Sequence, residues 1–420
     1  MARLDLPARC VGQHLWQHPD FLKLWAGETV ALFGIQVAAL AVPLTAAVSL
    51  GASPLQMGVL SALSTAPSLL FGLFAGAWSD RLRRRPILIA TNLLRAALLA
   101  TIPLMAALGL LSMAQLYILA AIVGSAGVFF VAAYQPYLAT LVAREDRIEG
   151  NSKLRLSEAL AQIAGPGLGG ALVQLIGAPL TLILSAIAPL CSAGAIAGIR
   201  TPEPNPASDA ARRPIWREIG EGWHAIFAVP LLRLIVIGDA VSAFGSGMIA
   251  GIAILYITRQ LGIGPGLFGG IVAVSGPAAI VGTLLAGRAV RACGLGPTLI
   301  GTLFLTGGAA LLLPLAGTFT ALSLPLLVAW RALDAVGGAI YGINFYTVLQ
   351  TLPPLAVQGR VNATARVFIW GATALGGLAG GVIGQWLGLR GALIVAASVM
   401  LLAPLALLLS RLRHVREPPA

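Results

Sequence analysis

Apolar runs long enough to cross a bilayer recur along this whole chain, and they leave it few choices of fold. A spanning helix takes about 20 apolar residues. With 58% of its 420 residues hydrophobic and 10% charged, the sequence holds enough for about twelve spans and little else. A water-soluble domain carries about 25% charged residues, so that class is excluded. The runs are continuous rather than alternating, which excludes a transmembrane β-barrel. What remains is an all-α integral membrane protein, in which helices satisfy every backbone polar group within the lipid.

Gly, Pro and Arg clusters punctuate the runs. They place helices at about 22–48, 55–78, 86–108, 113–142, 152–176, 180–199, 231–258, 266–292, 297–316, 321–350, 361–387 and 390–411. Connections after odd-numbered runs are short and almost uncharged, with Arg259 and Arg390 as exceptions. Those after even-numbered runs hold Arg81, Arg83, Arg84 and Arg85, then Arg144, Arg147 and Lys153, then Arg212, Arg213 and Arg217, and finally Arg288, Arg291 and Arg360. The positive-inside rule puts these loops and both termini in the cytoplasm. The net charge of +12 then reports topology, and no nucleic-acid partner is expected. Residues 1–20 lack the apolar core of a cleavable signal. Cys10, Cys191 and Cys293 are too scattered for a disulfide framework or a metal motif.

The longest connection, 200–230, opens Thr201-Pro202-Glu203-Pro204-Asn205-Pro206, where the prolines stop a helix. Trp216, Ile219, Trp223 and Phe227 follow at helical spacing, the pattern of an amphipathic helix along the membrane surface. It separates a six-helix bundle at 1–199 from a second at 231–420. The bundles repeat with an offset of 211 residues. Gly27-Glu28-Thr29-Val30-Ala31-Leu32-Phe33-Gly34 aligns with Gly238-Asp239-Ala240-Val241-Ser242-Ala243-Phe244-Gly245. The same offset pairs Gly58 with Gly269, Asn151 with Asn362, Arg155 with Arg366, and Gly169-Gly170 with Gly380-Gly381. Parallel six-plus-six repeats are one transporter architecture.

The loop after the second run reads Gly76-Ala77-Trp78-Ser79-Asp80-Arg81-Leu82-Arg83-Arg84-Arg85. It resembles the loop signature of the major facilitator superfamily. Gly165-Pro166-Gly167-Leu168-Gly169-Gly170 in the fifth run is similar to the end of that superfamily's antiporter motif, whose upstream glycine is Ala161 here. Phe21-Leu22-Lys23-Leu24-Trp25-Ala26-Gly27, Glu149-Gly150-Asn151-Ser152 and Gly359-Arg360-Val361-Asn362-Ala363-Thr364 resemble the macrolide-efflux and enterobactin-exporter branch of drug:proton antiporters. The resemblance implies a fold of two pseudo-symmetric six-helix bundles. It also implies that Gly76, Asp80, Arg81 and Arg84 form a cytoplasmic latch, and that Gly165, Pro166, Gly169 and Gly170 belong to the moving interface. Two departures stand out. Where that branch often has acids, Asn92 precedes Arg95 and Ser185 stands in the sixth run.

Ionisable groups inside a bilayer are costly unless paired or hydrated, so each is a functional candidate. Glu28 and Asp239 lie about six to eight residues into symmetry-related runs, roughly 10 Å deep. A carboxylate taken out of water favours its neutral form, so these two and Asp334 are candidates to carry protons. Glu28 and Asp239 can equally hold a gate shut by accepting hydrogen bonds. In the tenth run Arg331, Asp334, Gly338, Tyr341 and Phe345 share a sector of about 80°. Arg331 and Asp334 are spaced to pair, either as a self-neutralised structural pair or as one that a proton or anionic substrate releases. The offset maps Tyr341 to Phe130 and Phe345 to Tyr134. With Phe244 these aromatics are candidates to line an apolar cavity, unless they serve packing alone; Gln36, Asn344 and Trp370 would add polar contacts.

His14, His18, His224 and His414 all fall outside the spans, and no phosphate-binding Gly-Lys-Ser/Thr loop exists. The sequence therefore points away from an enzyme and from any bound metal or cofactor. The expected function is a bacterial inner-membrane transporter, monomeric, exporting an amphipathic small molecule against proton entry by alternating access. The alternatives are an importer or uniporter of the same fold, a membrane-embedded lipid-modifying enzyme, or a transporter-like receptor.

Overall fold

The computed structural model describes residues 15–79, 82–203, 215–354 and 357–416. All its regular structure among these residues is helical: α1 (Pro19–Leu44), α2 (Pro54–Ser79), α3 (Arg84–Ala107), α4 (Met113–Leu141), α5 (Arg147–Ile176) and α6 (Ala178–Ala197) form the first half. After α7 (Ile215–Ala228) the second half holds α8 (Pro230–Leu255), α9 (Pro265–Ala273), α10 (Ser275–Cys293), α11 (Leu295–Ala310), α12 (Leu312–Ala316), α13 (Ser323–Thr351) and α14 (Gln358–Leu408). The eighth and ninth expected runs are each interrupted, at Val274 and Leu311. The fifth begins earlier than expected, at Arg147, where Lys153 pairs with Glu149 at 2.8 Å on the added turn.

Among the described residues, eleven continuous helical stretches are long and apolar enough to span a bilayer. The last, α14, has 51 residues, about 76 Å of helix against a hydrocarbon core of about 30 Å. It folds back at Gly388, whose φ of 74° lies in the region that favours glycine, and so supplies two spans. Its counterpart at the same offset, Gly177 (φ 84°), separates α5 from α6. The pseudo-symmetry reaches into finer detail. A π-helical turn closes α1 at Thr45–Ser49 and another closes α8 at Tyr256–Gln260, again 211 residues apart. Asn151 and Asn362 each donate to the carbonyl four residues back, at 2.9 and 3.0 Å.

Lipid tails are as apolar as Leu, so helices associate here by close packing and small residues rather than by burial from water. Close glycine approaches join the two halves at the end with short, charge-poor connections. A methyl at Gly58 of α2 would stand 2.6 Å from the Gly377 carbonyl oxygen, and one at Gly269 of α9 would stand 2.5 Å from that of Pro166. These crossings are the same contact twice, related by the 211-residue offset. A single apolar core accordingly runs through both halves at this end, from Leu40 and Met57 to Ile252, Phe268 and Met400. At the arginine-rich end the core divides. One cluster, including Phe21, Leu88 and Tyr137, serves the first half; another, including Ile235, Leu299 and Val348, serves the second.

Side chains at the arginine-rich end tie helix termini down. Asp20 accepts from the backbone of Arg200 and Thr201 at 3.0 and 2.9 Å. Lys23 donates to the Gly198 carbonyl at 2.7 Å, and Arg85 to that of Ala197 at 2.6 Å, so both cations cap the C-terminus of α6, where the helix dipole favours positive charge. The amphipathic α7 docks on the base of α14. Glu221 pairs with Arg360, Ile226 is buried, and Trp223 stacks on Phe227 and Phe368 with centroids 4.7 and 4.8 Å away.

Candidate functional site

Among the described residues, a cavity opens inside each bundle. The larger, about 450 Å³, lies among α1, α2, α3, α4 and α6, with Ala250 of α8 on its wall. The smaller, about 180 Å³, lies among α8, α11, α13 and α14. They are partial symmetry mates: the 211-residue offset carries Ile35, Arg95, Val123 and Pro189 of the first onto Ser246, Thr306, Asp334 and Met400 of the second. Their charge is not symmetric. A guanidinium lines the first cavity, while Asp239 and Asp334 line the second.

The second cavity gathers Asp239, Asp334, Gly338 and Tyr341 from the expected set. Arg331 Nη1 lies 3.0 Å from Asp334 Oδ2, and its guanidinium sits 5.1 Å from the Trp330 ring centre. The Tyr341 hydroxyl is buried next to Asp239, in a geometry that falls short of a regular hydrogen bond. Glu28, the mate of Asp239, is 6% exposed with one carboxylate oxygen lacking any hydrogen-bond partner. Its charged neighbours are Arg95 and Glu158, and the Tyr134 hydroxyl is near it. Each symmetry-related acid thus has a tyrosine, contributed from opposite ends of the aromatic pairs.

Those pairs are stacked alike. Phe130 and Tyr134 have centroids 5.6 Å apart at 18°, and Tyr341 and Phe345 have centroids 5.7 Å apart at 20°. Phe130 and Tyr134 sit in the arginine-rich core of the first half and Phe345 in that of the second; of the four, Tyr341 is the one that lines either of these two cavities. Phe244 packs against the shared core. Gln36 presses on Gly165, where an added methyl would meet its Cβ at 2.5 Å. Asn344 donates to the Ile340 carbonyl at 2.7 Å, and Trp370 is exposed.

Among the expected gating residues, Gly169 packs on Val37 of α1, whereas Pro166 and Gly170 meet Gly269 across the halves. Gly76 lies within α2. Asp80 and Arg81 lie outside the described residues. The Arg84 backbone N–H donates to Glu203 at the start of α3, as does that of Arg85, so this part of the arginine run helps anchor the connection between the halves.

Two residues were not singled out from the sequence. Arg95 was noted only beside Asn92, although its place mid-span met the same rule that selected Glu28; Asn92 itself donates to Ser192 at 2.9 Å. Arg259 was noted only as a charge on the wrong side. Its guanidinium crosses between the halves and donates to the carbonyls of Ala52 and Ala47 at 2.8 and 2.6 Å, clasping the short-loop end shut. A hydrogen bond from a charged group is worth about 1.5–3 kcal/mol, and 1.4 kcal/mol is tenfold in an equilibrium. Arg259→Ala should therefore open that end. A cysteine placed at Ser61 should react with an impermeant maleimide more than about tenfold faster in that background, and an unchanged rate would remove Arg259 from the closure.

Comparison with known proteins gives the geometry a context. A YfiS protein of Bacillus subtilis (strain 168), described as an uncharacterised MFS-type transporter, is 26% identical over 93% of both chains. The multidrug efflux pump Tap of Mycolicibacterium fortuitum is 27% identical over 86% of this chain and 89% of its own. Among solved structures, a mutant of the nucleoside transporter NupG superposes with a TM-score of 0.77 at 12% identity, covering 93% of this chain and 99% of that one. A bacterial homologue of the iron transporter ferroportin, in its inward-facing state, gives 0.75 at 17% identity over 94% and 99%. At these identities the structural likeness is one of fold. These relatives are transporters, not enzymes. The Major Facilitator Superfamily itself matches over residues 24–244 and 235–420, and this multi-pass membrane protein belongs to it.

Proposed function

We propose that this transporter exports an amphipathic small molecule by proton-coupled alternating access. The observation that carries the reading is the one-ended joining of the halves: a single core at the short-loop end, two separate cores at the arginine-rich end. Rocking about the glycine crossings would exchange that arrangement for its mirror state. With the arginine-rich connections in the cytoplasm, as the positive-inside rule places them, this conformation faces inward. The setting is the cytoplasmic membrane of a bacterium, with both termini inside and one chain as the working unit. The name of the relative Tap supports efflux as the direction.

Energy comes from the proton gradient and no bound cofactor is needed. Asp239 and Asp334 share a cavity and Glu28 stands at the mate position of Asp239, so protons entering from outside have acceptors in both halves. Protonation biases the two facing states only so far as their proton affinities differ. Substrate binding would in turn compete for the same balance through Arg331. In reconstituted vesicles, an amphipathic dye such as a naphthyl acid should evoke a proton flux that grows with its concentration. The flux should vanish in the triple variant Glu28→Gln, Asp239→Asn, Asp334→Asn. Transport without any proton movement would overturn the coupling, and gradient-driven uptake by right-side-out vesicles the direction.

A further inference from the structure

We propose that the larger cavity seats an anionic amphipathic substrate, with a carboxylate or similar oxyanion held by Arg95 and an apolar body against the surrounding helices. Arg95 stands eleven residues into α3, near mid-membrane, and only 8% of it is exposed. Its Nε has no hydrogen-bond partner, and its guanidinium makes no ion pair among the described residues. Glu28 influences it through space without touching it. A buried guanidinium with five donors and no acceptor is an expensive arrangement, and it lines a cavity. The bidentate partner that such a fork fits best is a carboxylate or phosphate.

The rest of the cavity fits the same ligand class. Ser185 is 1% exposed, and its hydroxyl, also without a partner, offers a second donor. Ser64 and Thr65 are spent on carbonyls of their own helix at 2.8 and 3.1 Å. Met57, Leu60, Leu99, Leu119 and Val123 supply an apolar wall, and about 450 Å³ admits a fused aromatic ring with a short acidic arm. Asp239 and Asp334 line the other cavity, and among the described residues that line the larger one Arg95 is the charged side chain. An arriving anion would compete with Glu28 for the field of Arg95, which links substrate binding to the carboxylate that stands at the mate position of Asp239.

This assignment deepens the transport reading and rests on it, but binding needs no gradient, so the two can fail separately. The test is equilibrium binding of 1-naphthaleneacetate and of its uncharged isostere 1-naphthaleneacetamide to the full chain in nanodiscs of zwitterionic lipid. The acid should bind at least about tenfold more tightly than the amide. Arg95→Gln should erase that preference, Arg95→Lys should retain part of it, and Glu28→Gln should strengthen the acid while leaving the amide unchanged. The wild-type comparison involves no substitution and so stands even if a variant fails to fold. Equal binding of acid and amide, binding of neither, or a preference that survives Arg95→Gln overturns the proposal.

Discussion

Asp239→Asn and Asp334→Asn, each alone, should slow gradient-driven export about 100-fold while leaving exchange of labelled for unlabelled substrate within about threefold. The difference follows from what an asparagine is. It matches the neutral acid in shape and cannot release a proton, so the carrier can still alternate when loaded but cannot return its proton. The loss corresponds to the upper part of the 1–3 kcal/mol range over which two ligands of one protein commonly couple. Asp334→Asn has a second consequence, because Arg331 loses its partner at 3.0 Å. An uncompensated cation in this setting destabilises the fold, so its melting temperature should fall, and the double variant Arg331→Gln, Asp334→Asn should regain stability without regaining coupling. A self-neutralised structural pair predicts otherwise: net export and exchange would fall together and recover together. Measuring both fluxes in the same vesicles separates the two roles.

Much of this architecture could be read from the chain because its causes are local and repeated. Span number follows from run length, and Gly177 and Gly388 break helices through their own backbone. A 211-residue offset suffices to anticipate that both crossings, both π-helical turns and both aromatic stacks should come in pairs. What a wheel projection could not supply was the partner of each face. It put Arg331, Asp334, Tyr341 and Phe345 on one side of α13, and three of these four do meet as neighbours of the smaller cavity or its ion pair, yet Phe345 turns into the packed core beside Val348. The face of a helix is a local property; whether it meets a neighbour or a void depends on several helices at once. For the same reason Arg95 drew less notice than Glu28, since its isolation is a statement about α1, α3 and α6 together. Arg259 was legible as a charge out of place but not as a clasp, because its acceptors lie 207 and 212 residues away.

A disulfide across the short-loop end should stop transport completely and reversibly. Gln174 near the end of α5 and Gly266 at the start of α9 face each other between the halves: the Gln174 side chain accepts from the Gly266 N–H at 3.4 Å, and a Cβ built on Gly266 would lie 3.5 Å from that of Gln174. Bridged cysteines have Cβ atoms about 3.5–4.5 Å apart, so Gln174→Cys with Gly266→Cys, in a chain freed of Cys10, Cys191 and Cys293, should oxidise readily in this conformation. Once formed, the bond holds shut the end that must part for the cavities to face outward. Both net export and exchange should then fall to background, unlike the aspartate variants, in which exchange survives. Dithiothreitol should restore both. The yield of cross-link also reads the conformational balance: Arg259→Ala, by releasing the clasp on Ala47 and Ala52, should slow its formation. Ligand binding to the larger cavity has no need of outward opening if entry is from the arginine-rich side, so the oxidised protein should still bind 1-naphthaleneacetate. Transport that continues at full rate through the oxidised protein would show that the short-loop end does not open in the cycle, and with it the rocking mechanism would fall.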